Sequence, residues 1–121
     1  AASIYCKLGK TEKALEIYGP SYIQKNMDKP NVLTSYAYFW SGQDKNLESA
    51  LEAAKKSVEL SPTASTWSAL SQVCQKMKKF EEALKAAEKA LELAPERSKE
   101  FYKKRIEQIK KAMEEKEKKN P

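Results

Sequence analysis

An all-α fold, made of helix–turn–helix units stacked into a superhelix and closed by a C-terminal capping helix, is what this sequence predicts. Three observations predict it. Apolar residues recur at i, i+3, i+4 and i+7 in paired runs, the spacing of one helix face. No segment alternates polar and apolar residues for long, as a half-buried strand would. The pairs also repeat: Ala14, Ala50 and Ala83 stand at matching places, 36 and then 33 residues apart.

Residues 1–30 read as a truncated first repeat. Tyr5, Leu8 and Gly9 lead into Ala14, Leu15, Ile17 and Tyr18, so the chain starts inside the first helix of the unit. Gly19-Pro20 then interrupts the second helix. Proline lacks an N–H and clashes with the preceding turn, so a kink or a new short helix from Ser21 to Met27 is expected. Asp28 to Asn31 reads as a turn.

Residues 31–63 form the second repeat. Its first helix, Val32 to Trp40, is apolar nearly all round, as suits a helix buried on more than one side or one offering a binding face. Gln43 to Asn46 is the internal turn. Ala50, Ala54 and Ser57 mark the second helix, and Ser61-Pro62-Thr63 punctuates the next start, with Ser61 or Thr63 as the cap.

Residues 64–97 form the third and most regular repeat. Trp67, Leu70, Ser71 and Cys74 share one face, and Phe80, Ala83, Leu84, Ala87, Ala90 and Leu91 share the next. The alanines let another helix approach closely. Pro95 suits the link before a further helix.

Residues 98–118 read as the capping helix, with Ser98 as its cap and residues 119–121 as a frayed tail. Tyr102, Ile106, Ile109 and Met113 make a narrow apolar stripe with Phe101 beside it. The rest is charged, which suits the outer face that closes a repeat array. Glu107/Lys111 and Glu114/Lys118 have the i,i+4 spacing of helix-surface ion pairs.

The chain has 121 residues, enough for one domain with a modest core, and a net charge of +6. It begins Ala-Ala-Ser-Ile without Met and shows no signal-peptide pattern. It therefore reads as a piece of a longer protein, with the compartment open between cytoplasm and periplasm. No apolar run is long enough to span a bilayer. Histidine is absent, which removes Ser-His and Cys-His nucleophile systems, imidazole bases and HExxH metal sites. Gly9, Gly19 and Gly42 form no phosphate-cradling loop. The carboxylate pairs Glu81-Glu82 and Glu114-Glu115 flank lysines on polar faces, where nothing separates their pKa values. Cys6 and Cys74 form no CxxC pair and read as small core thiols. These points argue against an enzyme, a metal site or a cofactor.

Counted from Ala64, Trp67 falls at position 4, Leu70 at 7, Ala83 at 20, Ala90 at 27 and Pro95 at 32. This pattern resembles the tetratricopeptide repeat, a helix–turn–helix unit of about 34 residues. Ser71 at position 8, Cys74 at 11 and Ala87 at 24 depart from the usual residues. Residues 31–95 also resemble a bacterial variety of tandem, with an aromatic-rich helix (Tyr36-Ala37-Tyr38-Phe39-Trp40) before Asn46-Leu47-Glu48-Ser49-Ala50. Such pairs often end larger bacterial proteins, some of them thioredoxin-like.

The resemblance implies a scaffold whose first helices line a concave groove for a peptide or helix of a protein partner. Its groove positions fall on Val32, Ser35, Phe39, Gly42 and Gln43, and on Ser65, Ser68, Gln72, Gln75 and Lys76. Ser35, Phe39, Gln43, Ser68, Gln72, Gln75 and Lys76 are the candidate contacts. Phe39 would be an aromatic anchor unless it and Trp40 belong to the core. The Lys/Asn and Lys/Arg clamp that holds chaperone C-termini is absent, because Ser35, Phe39, Ser65 and Ala69 stand at those places. Lys99 and Lys103 have the right interval, but no companion asparagine supports them. One alternative is a structural or spacer module that self-associates end to end through the truncated repeat. Nucleic-acid binding by the last helix is a weaker alternative: residues from Glu96 onward hold ten Lys/Arg against six Glu, so acids interleave throughout. Membrane-surface binding fares worse, because the stripe has few large apolar residues.

Overall fold

A computed structural model describes residues 2–119, the side chain of Lys119 excepted. The helices are α1 (Ala2–Lys7), α2 (Thr11–Tyr18), α3 (Pro20–Gln24), α4 (Pro30–Gln43), α5 (Leu47–Leu60), α6 (Ala64–Lys76), α7 (Phe80–Leu93) and α8 (Lys99–Lys119). A 3₁₀ turn, Glu96–Ser98, leads into α8. Helices α4 and α5 pair, as do α6 and α7, and α5 packs on α6 while α4 lies beside α6. Helix α8 closes the array against α7. The fold is the all-α helical repeat that the periodicity predicts.

The first helix of each unit ends in the same way. Gly9, Asp44 and Lys78 each take a left-handed conformation, with φ of 74°, 56° and 62°. In each case the next N–H reaches back five residues: Lys10 to the Tyr5 carbonyl at 2.7 Å, Lys45 to Trp40 at 3.2 Å and Lys79 to Cys74 at 2.8 Å. This Schellman arrangement satisfies carbonyls that a helix end otherwise leaves unpaired. The second unit carries one extra turn residue, and Asn46 takes a second left-handed conformation, with φ of 53°. A lysine with its Cβ at positive φ costs about 1 kcal/mol. Lys78→Gly is therefore expected to stabilise the chain by about 0.5–1 kcal/mol, seen as a higher urea midpoint at unchanged slope.

Gly19 allows the break between α2 and α3. A Cβ there would lie 2.1 Å from the Leu15 carbonyl oxygen, so any side chain would force the two segments apart. Pro20 then opens α3 at its first position, where a missing N–H costs nothing. The new helix ends at Gln24, three residues before the expected Met27. The turn that follows covers residues 25–28, and Pro30 starts α4 earlier than expected because proline suits a first helical turn.

The core runs along the alanine-rich second helices. Ala83, Ala86, Ala87 and Ala90 of α7 are all buried, as are Ala50, Ala53 and Ala54 of α5. Helix α4 is buried on more than one side: Leu33, Tyr36, Ala37 and Trp40 are each 0% exposed. Their polar atoms are paired. Trp40 Nε1 donates to the Tyr18 carbonyl at 2.7 Å, and the Tyr36 hydroxyl meets Ser49 Oγ at 2.7 Å and Asn46 Nδ2 at 2.8 Å. The departures from the repeat pattern are accommodated as well. Ser71 Oγ donates to the Ala83 carbonyl at 2.8 Å, stitching α6 to α7, and Ser57 Oγ pairs with Thr34 Oγ1 at 2.6 Å. Among the described residues no buried side-chain nitrogen or oxygen lacks a partner, as a stable interior requires.

Thr63 caps α6. Its hydroxyl accepts the Thr66 N–H, and the Thr66 hydroxyl accepts the Thr63 N–H. Helix α8 is entered differently from expectation. Ser98 ends the 3₁₀ turn and does not act as an N-cap. The helix continues through Lys119, past the expected boundary at 118; residues 120 and 121 of the expected tail, like Ala1, lie outside the described residues. The i,i+4 pairs expected on α8 are not among the ion pairs of the described residues. Those on other helices sit at i,i+3, Lys13–Glu16, Lys56–Glu59 and Lys89–Glu92, and Lys29–Asp28 joins neighbours before α4.

Burial raises two pKa values far enough to matter. It lifts the Cys74 thiol from 9.0 to about 11, with Glu82 adding to the rise. It lifts the Tyr18 hydroxyl from 10.0 to about 12, with Tyr22 and Tyr36 adding. Both groups are largely neutral in either state at pH 8 and below. Above that the unfolded chain ionises first, so stability falls until the native groups ionise too. Urea titrations should give a lower midpoint at pH 11 than at pH 8, and Tyr18→Phe should reduce that difference.

Candidate partner-binding groove

The candidate residues lie on the first helices, and the structure divides them. Helices α4 and α6 lie side by side. Helix α8 reaches α6 through Arg105, whose Nη1 donates to the Ser68 carbonyl at 3.3 Å. That side of the array is therefore lined by α4, α6 and α8. The sequence reading assigned α8 to capping, with nucleic-acid binding as its weaker alternative, and not to the groove.

Gln72, Gln75 and Lys76 come together in a hollow of about 430 Å³ between α6 and α8. Arg105 and Gln108 of α8 form the facing wall, and Lys78 and Asp44 lie at its edges. Gln75 is half-buried and Lys76 exposed. The amide of Gln72 is partly engaged within the array, since Nε2 donates to Ser41 Oγ on α4 at 2.7 Å. Its carbonyl oxygen and second N–H remain for a ligand. Ser41 in turn donates to the Ala37 carbonyl at 2.6 Å, so this bond fixes α4 relative to α6.

Ser68 is buried, 2% exposed, so its side chain offers little surface to a partner, and its carbonyl accepts from Arg105. Ser35 and Gln43 are exposed on α4 and lie outside that hollow. Phe39 stands apart from the glutamines. It is half-buried, packed edge-on against Trp40 at 4.9 Å and Tyr18 at 5.4 Å between ring centres. Its free edge opens on a second hollow of about 370 Å³ with Ala2, Ser3, Ile17, Tyr18 and Tyr22. Trp40 belongs to the core.

Three residues of this side were missed: Phe101, Arg105 and Gln108. The contact that brings α8 to this side, Arg105 to the Ser68 carbonyl, joins residues 37 apart and leaves no local signal in the sequence. The stripe Tyr102, Ile106, Ile109 and Met113 does show which face of α8 turns inward, with Ile109 0% exposed. Phe101 stays 58% exposed beside it.

Among the described residues, no cluster of Cys, Asp and Glu is placed to hold a metal, and no helix is long and apolar enough to cross a membrane.

Comparison with known proteins agrees with this geometry. Residues 64–97, which span α6, α7 and the turn into α8, match the family model described as Tetratricopeptide repeat. No curated protein matches the chain. Repeats of this kind are protein–protein interaction scaffolds and typically non-catalytic. Residues 64–97 thus match a tetratricopeptide repeat, and the flanking helices extend them into an all-α helical repeat fold like that of such repeats.

Proposed function

We propose that this chain is a non-catalytic scaffold that holds a peptide or helix of a protein partner along the side lined by α4, α6 and α8. The repeat frame is that of the sequence reading, with α8 contributing a third first-type helix. Ser35, Phe39, Gln43, Gln72, Gln75 and Lys76 are the proposed contacts. The hollow between α6 and α8 carries this reading: it gathers Gln72, Gln75 and Lys76 on a rigid frame, with polar atoms turned outward. Amide side chains both donate and accept, so they can pair with the backbone of an extended segment.

The test is capture of partners at low and high salt with three forms of the chain. The groove variant is Gln75→Ala/Lys76→Ala. The control is Glu88→Ala/Lys89→Ala, two exposed residues of α7. A protein retained at high salt by wild type and control, but reduced at least about tenfold with the groove variant, is the expected result. Nucleic acid released by salt and indifferent to the groove variant would overturn it and move the site to the lysines of α8.

One observation favours a second reading, self-association through the first unit. Ile4, Leu8 and Ile17 are 60%, 64% and 44% exposed. The shared cap aligns Tyr5 with Trp40 and Cys74, and Tyr5 is only half-buried where the other two are buried. Sedimentation that depends on concentration, abolished by Leu8→Lys, would support that reading; a monomer at all concentrations would exclude it.

A further inference from the structure

We propose that the hollow between α6 and α8 accepts an acidic side chain from an extended protein segment, and that Arg105 selects it. This rests on the groove reading above and adds the chemistry of the partner.

Charge separates this hollow from the others. Lys76, Lys78 and Arg105 face a single acid, Asp44. The neighbouring hollow at the start of α7 has three lysines, Lys78, Lys79 and Lys116, matched by Glu81, Glu82 and Glu117. The hollow beside Phe39 has no charged lining residue. Among the described residues, the hollow between α6 and α8 thus combines excess positive charge with groove residues, whereas that of Lys10, Glu12 and Lys13 holds no groove residue.

Arg105 is held ready. Its guanidinium carbon lies 5.5 Å from the centre of the Phe101 ring, and Nη1 donates to the Ser68 carbonyl. These two contacts fix the plane of the fork, so less side-chain freedom is lost when a carboxylate binds. No carboxylate among the described residues lies within ion-pair distance of it. It is also half-buried, where an ion pair is screened less than at an open surface. A planar guanidinium with free N–H groups matches a carboxylate in bidentate geometry.

The glutamines indicate how the rest of the ligand sits. Gln72 and Gln75 are one helical turn apart on α6, with Gln108 opposite on α8. Their amides suit the main chain of a segment passing between them. Ser35 and Gln43 are exposed on α4 outside the hollow, and in this proposal the segment runs toward them and so presents a side chain to Arg105. A chain terminus is not required.

The test is selection of a displayed 12-residue library whose variable segment is flanked on both sides, so that it offers no free C-terminus. Selected sequences are then made as peptides acetylated at one end and amidated at the other. Titrations use the wild-type chain, Arg105→Gln, Arg105→Lys and Gln75→Ala, each first checked for its thermal melt.

Selected peptides should share an Asp or Glu at one position. Changing that residue to Gln or Asn should weaken binding to wild type by about tenfold. The same change should matter less than about threefold for Arg105→Gln. Arg105→Lys should recover part of the preference, since it keeps charge without the fork. Peptides with no shared acid that still lose affinity with Gln75→Ala would overturn this proposal and leave the groove reading standing. No selected peptide, or peptides indifferent to Gln75→Ala, would overturn both.

Discussion

Trp40→Ala is expected to destabilise the chain by about 3–5 kcal/mol and to lower Tm by about 10–20 °C. No other side chain joins so much of the array. The indole is 0% exposed, edge-on to Phe39 at 4.9 Å and to Tyr36 at 6.5 Å. Its Nε1 donates to the Tyr18 carbonyl at 2.7 Å, at the end of α2 where Gly19 leaves that carbonyl without a continuing helix. Removing the ring opens a cavity at the seam between the first and second units and unpairs a buried carbonyl. Trp40→Phe should cost less, because much of the volume remains while the hydrogen bond is lost. Thermal melts of the two variants separate the contributions. An alanine variant within about 1 kcal/mol of wild type would show that the first unit docks by other means.

Ile109→Lys should release α8. Ile109 is 0% exposed and belongs to the same core cluster as Ala83 and Ala87 of α7, the helix α8 packs on. A lysine there would carry a charge into an apolar seam with no partner, a cost of several kcal/mol. The helix has little else to hold it. Its outer surface is charged, and its remaining anchors Tyr102, Ile106 and Met113 are only partly buried. Limited trypsin digestion should therefore cut first within residues 99–119 in the variant, where Lys and Arg are dense. Helices α4 to α7 should be cut later. Equal resistance of wild type and variant would contradict the capping role of Ile109.

Much of this fold is legible in the sequence, because helix packing here is local and periodic. The stripe from Phe80 to Leu91 and the run from Trp67 to Cys74 show the third unit directly. Gly19-Pro20 shows the break, since proline cannot continue a helix and the close approach to Leu15 excludes a Cβ. Four features are not local and were not legible. The Gln72–Ser41 bond joins residues 31 apart. The Arg105 contact to the Ser68 carbonyl joins residues 37 apart. The extra residue between α4 and α5 is absorbed by left-handed Asp44 and Asn46, which only backbone geometry displays. The 3₁₀ turn at Glu96–Ser98 leads into α8 where the sequence reads a Ser98 cap. Each of these errors falls on the candidate groove, because that side is assembled from three helices distant in sequence. The core faces are set within each pair.

The account rests on the side lined by α4, α6 and α8 being the one that meets a protein partner. Photo-crosslinking tests this most directly. A photoreactive residue is placed at Gln75, in the groove, or at Glu88, exposed on α7, and each chain is irradiated with the captured partner. Crosslinking from Gln75 and none from Glu88 is the predicted result. Crosslinking from Glu88 with none from Gln75 would place the partner on the second helices and contradict the account.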